Sequence, residues 1–451
     1  MSGADLEQAA GRAVEAALSA GAGDAEAWAE RSVEREIRVY EGAVESLTDA
    51  AASGIGIRSF SDGRWGYAYG TDLSGEGLRK LAEAAAGAAA IADPDEDAGM
   101  PDEFGAADVG SLSSPRLAEW DTARKSELAI AVERAARAQD GVSHVEETLY
   151  ADGAAEVALA NSRGFTASFE MTTAYAWSSA FAGEGEDLMT GLGVDMARDP
   201  DALDPEAIGR EAAQRAVALA GARQVEGRRC PVVLDTFVAA SFAGFIGGML
   251  SADAVQRGRS LFAGRIGDEI AGTPFVLADD GVDPDGPATA PFDGEGSPRR
   301  RTPLIEDGRL LGYLYDARTA RKDGRATTGN AGRGSYRTPP AVSTTNLVLD
   351  SGDHDVAELV RRAGNGLYVA NVVGLHSGVN PVSGTFSVGA TGRLIENGEL
   401  GQPVREMTIA SDLVSMLQAV QAVGGPSRWV PFGGSVRSGP VLIGEMQVSG
   451  A

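Results

Sequence analysis

Three histidines, His144, His354 and His376, and one cysteine, Cys230, are the side chains of this 451-residue chain best suited to bind a soft metal or attack a carbonyl. A zinc peptidase needs several such ligands around one ion, plus a carboxylate to activate bound water. No two of the histidines lie within helical reach of each other. One cysteine makes neither an intramolecular disulfide nor a cysteine-cluster site, and Cys230, beside the strand-like PVVLD, is expected to be a packed, inert thiol. Asp279, Asp280, Asp283 and Asp285 offer oxygen ligands for calcium or magnesium, but without EF-hand spacing, and read as an acidic surface loop. Ser383 and Ser387 follow His376 in GLHSGVNPVSGTFSVGA, which leaves a serine–histidine pair open on paper. There is no Gly-x-Ser-x-Gly elbow. None of Lys80, Lys125 and Lys322 follows a glycine, so there is no Walker A loop, and no Gly-x-Gly-x-x-Gly occurs.

The elements that would position these residues follow from periodicity. Leu6, Ala9, Ala13, Ala17 and Leu18 predict a helix over Asp5–Ala20. Two strand-like stretches follow, AEAWAERSVEREIRVYEG and SGIGIRSFSDGRWGYAYG, with a hairpin turn between Ser61 and Trp65. Gly75–Ala92 reads as an alanine-rich helix. Residues 93–115 are acidic, poor in large apolar residues and broken by proline and glycine, the pattern of an exposed loop or linker. A helix over Glu119–Gln139 precedes strands at Val142–Ala151, Glu156–Leu159, Phe165–Ala182 and Leu188–Met196, and a helix near Pro205–Ala222. From Cys230 onward the chain reads as short strands with glycine-rich connections. Hairpins are expected at Asp307-Gly308 and Asn397-Gly398, and helices near Asp355–Gly364 and Asp412–Val423. The loops Asp279–Arg301 and Arg321–Pro340 are long for a compact domain, a length that points to a functional or a disordered segment.

The helix expected at Thr236–Ser251 is apolar around most of its circumference, which marks a buried helix. Gly244, Gly247 and Gly248 cost it roughly 1 kcal/mol each relative to alanine. Close packing of another backbone against these glycines is the expected reason for them.

An apolar content of 43% and a charged content of 23% are those of a soluble globular protein with room for sizeable cores. No eighteen-residue apolar run is present, and the N-terminus has neither the basic start nor the apolar centre of a signal peptide, so a cytoplasmic protein is expected. The net charge of −26 repels phosphate backbones, which argues against nucleic-acid binding.

Long motifs in correct order point further. They are RGRSLFAGRIGDEIAG (Arg257–Gly272), TPLIEDGRLLGYLYD (Thr302–Asp316), TTGNAGRGSYRTPP (Thr327–Pro340), GLHSGVNPVSGTFSVGATGRLIENGEL (Gly374–Leu400) and PVREMTIASDL (Pro403–Leu413). With them the chain resembles the TldD/TldE (PmbA, "modulator of DNA gyrase") peptidase family, in particular its TldE/PmbA branch. The TldD branch carries His-Glu-x-x-x-His on the helix that corresponds to Thr236–Ser251. The resemblance places Ala243, Gly244 and Gly248 at those positions, and none of them can bind zinc or move a proton. TldD-type subunits also use a late cysteine ligand, and the matching tail RWVPFGGSVRSGPVLIGEM has no cysteine.

The resemblance implies an α+β fold: an N-terminal mixed α/β region over residues 1–222, then a large, mostly antiparallel β-rich domain with packed helices over 223–451. It implies no catalytic residue, metal or cofactor in this chain, and zinc in a TldD-like partner. The pair would cleave small or unfolded peptides, including leader peptides of ribosomally made products. Residues of the 321–340 and 375–387 loops are expected to face the partner or peptide, with Arg333, Tyr336, His376, Asn380 and Ser383 as candidates. The chain alone could form a homodimer. Two other readings stay open: a peptide-binding or adaptor homodimer without chemistry, and an independent hydrolase with an unrecognised site.

Overall fold

Leu6, Ala9, Ala13 and Ala17 recur at helical spacing and are all buried, which fixes the inner face of α1 (Gly3–Ser19). Leu18 lies off that stripe and stays exposed. The computed structural model describes residues 3–431 and 434–450, so Phe432 and Gly433 of the tail motif lie outside the described residues.

The first half is built on one antiparallel sheet. Its strands are β1 (Asp24–Tyr40), β2 (Ala43–Ser61), β3 (Arg64–Gly70), β4 (Val142–Asn161), β5 (Thr166–Ala182) and β6 (Met189–Ala197), in the order β3-β2-β1-β4-β5-β6. Asp62 and Gly63 both take positive φ in the β2–β3 turn, as a two-residue hairpin requires. The expected strands at 142–151 and 156–159 are one strand. Its Asp152-Gly153 pair is held between β1 and β5, and ladder bonds on both edges override a local turn signal.

Alternation along β1 sorts the two faces of this sheet. Ala25, Ala27, Ala29 and Ile37 face the helices α1, α2 (Gly75–Ile91), α4 (Thr122–Arg137) and α5 (Pro205–Val217). The short α3 (Arg116–Glu119) precedes α4, which starts later than expected because the Asp121 side chain accepts from Arg124 N at 2.8 Å and caps it there. Trp28, on the opposite face, packs with Leu159, Phe292 and Tyr336, so the second half of the chain covers one end of that face.

The second half stacks two sheets around a helix. One sheet runs Glu399–Asp412, Thr385–Glu396, Gly366–Val373, β7 (Arg228–Leu234), Val441–Ser449 and Val420–Val423. The other runs Arg309–Leu310, Arg301–Glu306, Leu277–Asp280, Asn346–Leu349, Ser435–Ser438 and Arg428–Val430. Pairing is antiparallel except between β7 and Gly366–Val373 and between Asn346–Leu349 and Ser435–Ser438. Helix α6 (Thr236–Met249) contacts strands of both sheets and sits in the largest hydrophobic core. The architecture is α+β. Asp307-Gly308 and Asn397-Gly398 turn their hairpins with positive φ at both residues. The helix expected over 412–423 is shorter, ending at Gln418, and Val420–Val423 joins the sheet edge instead.

Residues 93–115 form a loop without helix or strand, as expected, but the loop is docked on the second half of the chain. Met100 and Leu112 are buried, Gly105 N donates to Gly296 O, and Ala107 N donates to Pro291 O. Arg318 pairs with Asp95 at 2.6 Å, and Arg321 donates to the carbonyls of Asp97 and Met100. The segment is a strap between the halves, held by its backbone, which composition does not register.

Candidate functional site

Helix α6 begins at Asp235, whose carboxylate accepts from Phe237 N at 2.9 Å. The same carboxylate takes a two-pronged pair from Arg215 of α5 and a 2.5 Å hydrogen bond from the Tyr368 hydroxyl. Burial, and then the Asp235 charge, push the Tyr368 phenol well above its usual range, so it acts as a donor only. Arg215 also lies 4.2 Å from the Phe237 ring centre. One end of α6 is thereby tied to both halves of the chain. A cavity of about 330 Å³ opens here, bordered by Glu211, Arg215, Asp235, Tyr368 and Arg393.

Most of α6 is buried, but not all round. Ser241, Gly244, Phe245 and Gly248, at i, i+3, i+4 and i+7, form a partly open stripe. The Ser241 hydroxyl turns back to the Phe237 carbonyl at 2.8 Å. At Gly247 and Gly248 the backbone packing expected above is not what the structure has. A Cβ at Gly247 would come within 2.3 Å of the Leu347 side chain, whereas one at Gly248 would meet nothing within 4 Å. Ala243 is buried in the core, and Gly248 is exposed.

The five candidate residues separate into two groups. His376, Asn380 and Ser383 are exposed together on the loop before Thr385–Glu396, beside the exposed apolar side chains of Val373 and Val382. Asn380 Oδ1 accepts from Val382 N and Ser383 N, and the Ser383 hydroxyl lies 2.8 Å from that of Thr385. Ser383 is thus directed to Thr385, and its Oγ is an unactivated hydroxyl. Leu261 N donates to Pro381 O, and Phe242 of α6 meets Phe386 at 5.3 Å, so this loop sits against α6 and its following segment.

Arg333 and Tyr336 are elsewhere, sealed between the halves. The Arg333 side chain is 1% exposed, pairs with Glu26 at 2.5 Å and donates to Gly294 O and the Tyr67 hydroxyl. Tyr336 N donates to Glu30, and its ring lies where a Cβ at Gly54 would be, 2.3 Å away. Inside this chain both residues hold a loop down.

Asp279, Asp280 and Asp283 are buried, which corrects the surface reading for them, whereas Asp285 is exposed as expected. Asp279 accepts from Thr345 N and Oγ1 and from Asn330 Nδ2. Asp293 accepts from Glu295 N, Ser297 N and Ala331 N. Glu295 accepts from Arg58 at 2.8 Å and from Ala317 N. Burial pushes all three carboxyls up, with Glu295 reaching about 7 against the opposing pull of Arg58. Their oxygens are occupied by protein donors, so they organise the loops rather than await a cation. The Glu26–Arg58–Glu295 cluster was missed in the sequence, because nothing in local spacing links positions so far apart.

His144 is stacked on Phe181 in the first sheet, while His354 precedes the helix Val356–Ala363. Cys230 is buried on β7, and burial pushes its thiol up, which keeps it inert. Among the described residues no three His, Cys, Asp or Glu are grouped to hold an ion, and no helix is long and apolar enough to cross a membrane.

A helix-covered antiparallel sheet, strapped to a two-sheet unit around a buried helix, is the fold of the PmbA/TldD metallopeptidases. Three family models match in sequence: PmbA/TldA metallopeptidase domain 1 over residues 25–89, the central domain over 115–220 and the C-terminal domain over 227–450. The chain belongs to this family. It is 28% identical to the metalloprotease PmbA of Escherichia coli O157:H7 over 99% of this chain and 96% of that one. It is 29% identical to a metalloprotease PmbA homolog of Haemophilus influenzae, again over 99% and 96%. The crystal structure of TldE from Thermococcus kodakarensis shares the fold, with a TM-score of 0.87 at 22% identity over 97% of this chain and 99% of that one. The family name implies a metal, and the residues on α6 do not fit one: its open stripe offers one hydroxyl, already bonded to its own helix. No step through a metal follows from the residues of α6.

Proposed function

We propose that this chain is the catalytically silent, TldE/PmbA-like subunit of a cytoplasmic heteromeric metalloprotease. A TldD-like subunit supplies the zinc, and together they cleave small or unfolded peptides, including leader peptides of ribosomally made products. The observation that carries this reading is α6: Ala243, Gly244 and Gly248 stand where the resemblance puts His, Glu and His, and Gly248 faces open space. Losing one ligand would suggest a rewired site, whereas losing all of them suggests a subunit relieved of chemistry. The exposed His376, Asn380 and Ser383, with Val373 and Val382 beside them, then face the partner or the peptide chamber. A charge of −26 favours basic peptides over nucleic acid as ligands.

The test is a tagged pull-down from the native cytoplasm. A stoichiometric zinc-bearing homologue with peptidase activity is expected. A chain that elutes alone and binds peptides would support an adaptor instead, and turnover by the chain alone would support an independent hydrolase.

A further inference from the structure

Strand β2 outruns its neighbour. Pairing with β3 starts only at Ile55, so the outer edge of β2 from Ala43 to Gly54 makes no backbone hydrogen bond among the described residues. On its inner side the strand is laddered to β1, with one bulge that leaves Glu45 without a cross-strand partner. Residues 43–51 are all exposed. A long strand edge with free N–H and C=O groups is a template for another strand; native edges are blocked by proline, lysine, other charges, bulges or shortness. This one has a bulge at Glu45 and two acidic residues but is long and uncovered. The sequence AVESLTDAAAS has neither proline nor lysine.

The sheet face beside this edge is also open. Trp28, Leu159 and Tyr336 mark where the second half covers it. Beyond them the face carries a groove of about 410 Å³, with a floor of small residues that includes Thr48, Ala50, Gly153, Ala155 and Thr173. Glu34 and Glu36 project from β1 on this face, in register with Ala50 and Thr48. Glu36 is matched by Arg38 at 2.8 Å, whereas Glu34 is exposed and makes no ion pair among the described residues. The Tyr175 phenol at the groove is pushed up by burial and by these two carboxylates.

We propose that the free edge of β2, residues 43–53, takes up an extended lysine- or arginine-bearing peptide as an added strand, its basic side chains reaching over Thr48 and Ala50 to Glu34 and Glu36. Strands lie about 4.8 Å apart, so Glu34 is two strand spacings from the new backbone, within the span of a long basic side chain crossing small residues. Backbone pairing supplies affinity without sequence demand, and the alternating acidic side supplies the preference. A second copy of this chain is a poorer occupant. Two-fold pairing centred on Leu47 sets Glu45 opposite Asp49 of the other copy at both ends, and like charges directly opposite destabilise a pair. The inference rests on the reading that peptides are delivered to this protein.

The probe is a capped ten-residue peptide alternating lysine and valine, added to the full chain and followed by anisotropy and hydrogen exchange. Amides of residues 43–53 become protected, Glu34→Lys weakens binding about three- to tenfold, and a glutamate–valine peptide does not bind. Glu34 is exposed, so that variant keeps its fold. Absence of protection at 43–53, equal binding of the acidic peptide, or protection from self-association without peptide overturns the assignment. A chain that supports the partner's peptidase rate without such protection overturns this inference alone. Protection with no effect on any peptidase overturns the subunit reading and leaves this one standing.

Discussion

Arg333 and Glu26, 307 residues apart in sequence, meet at 2.5 Å with both side chains 1% exposed. Glu26 also takes Arg58, and Arg58 takes Glu295, so four charges from both halves form one buried chain. Such a cluster fixes how the halves sit, because any other arrangement leaves a charge buried and unpaired.

Arg333→Ala is therefore expected to destabilise the protein by about 3–5 kcal/mol, the usual cost of orphaning a buried ion-pair partner. Urea unfolding measures it. Arg333→Lys restores little, because a compact ammonium lacks the planar fork by which Nε, Nη1 and Nη2 separately reach Gly294 O, Tyr67 and Glu26. A loss below about 1 kcal/mol would contradict the structural role of this pair.

Glu295 gives the protein a pH dependence. Its folded carboxyl is pushed up to about 7 by burial against the pull of Arg58, from an ordinary value of 4.5. Between those values the unfolded chain has released the proton and the folded chain retains it, so stability falls as pH rises through this window and levels off above it. Asp279 and Asp293, also pushed up by burial, act in the same direction. Unfolding free energies measured from pH 4.5 to 7.5 should show a shallower fall in Glu295→Gln than in the unmodified protein. Identical slopes would contradict the assignment.

Gly54 is glycine because the Tyr336 ring occupies the space of its Cβ. Gly54→Ala should cost about 1–3 kcal/mol by overpacking. Combining it with Tyr336→Ala should make the two losses less than additive, read as a coupling energy in a double-mutant cycle.

His376 is exposed and lies outside every core cluster, so His376→Ala should change stability by no more than about 0.5 kcal/mol. In the proposed complex it should lower the assembled peptidase rate. Unchanged assembly and rate would remove His376 from the partner or chamber surface.

Local signals in the sequence were reliable where backbone geometry is decided locally. Asp62-Gly63, Asp307-Gly308 and Asn397-Gly398 demand positive φ and turn as expected. The stripe from Leu6 to Ala17 faces its core. The signals failed where burial is decided at long range. Asp279, Asp293 and Glu295 look like surface acids until their donors from Thr345, Ala331 and Arg58 are in place. The strap of residues 93–115 is held by carbonyls, which no side-chain pattern reports. Of the candidate site residues, His376, Asn380 and Ser383 are exposed as a surface role requires. Arg333 and Tyr336, on the Arg321–Pro340 loop, have buried side chains inside this chain.

In the proposed complex, metal chemistry belongs to the partner. The most direct measurement is zinc counted by mass spectrometry in the chain purified alone and in its reconstituted pair with a TldD-like subunit. No zinc is expected in the chain alone, and one ion is expected per active heterodimer. Zinc held stoichiometrically by this chain, or two ions per heterodimer, would contradict this assignment.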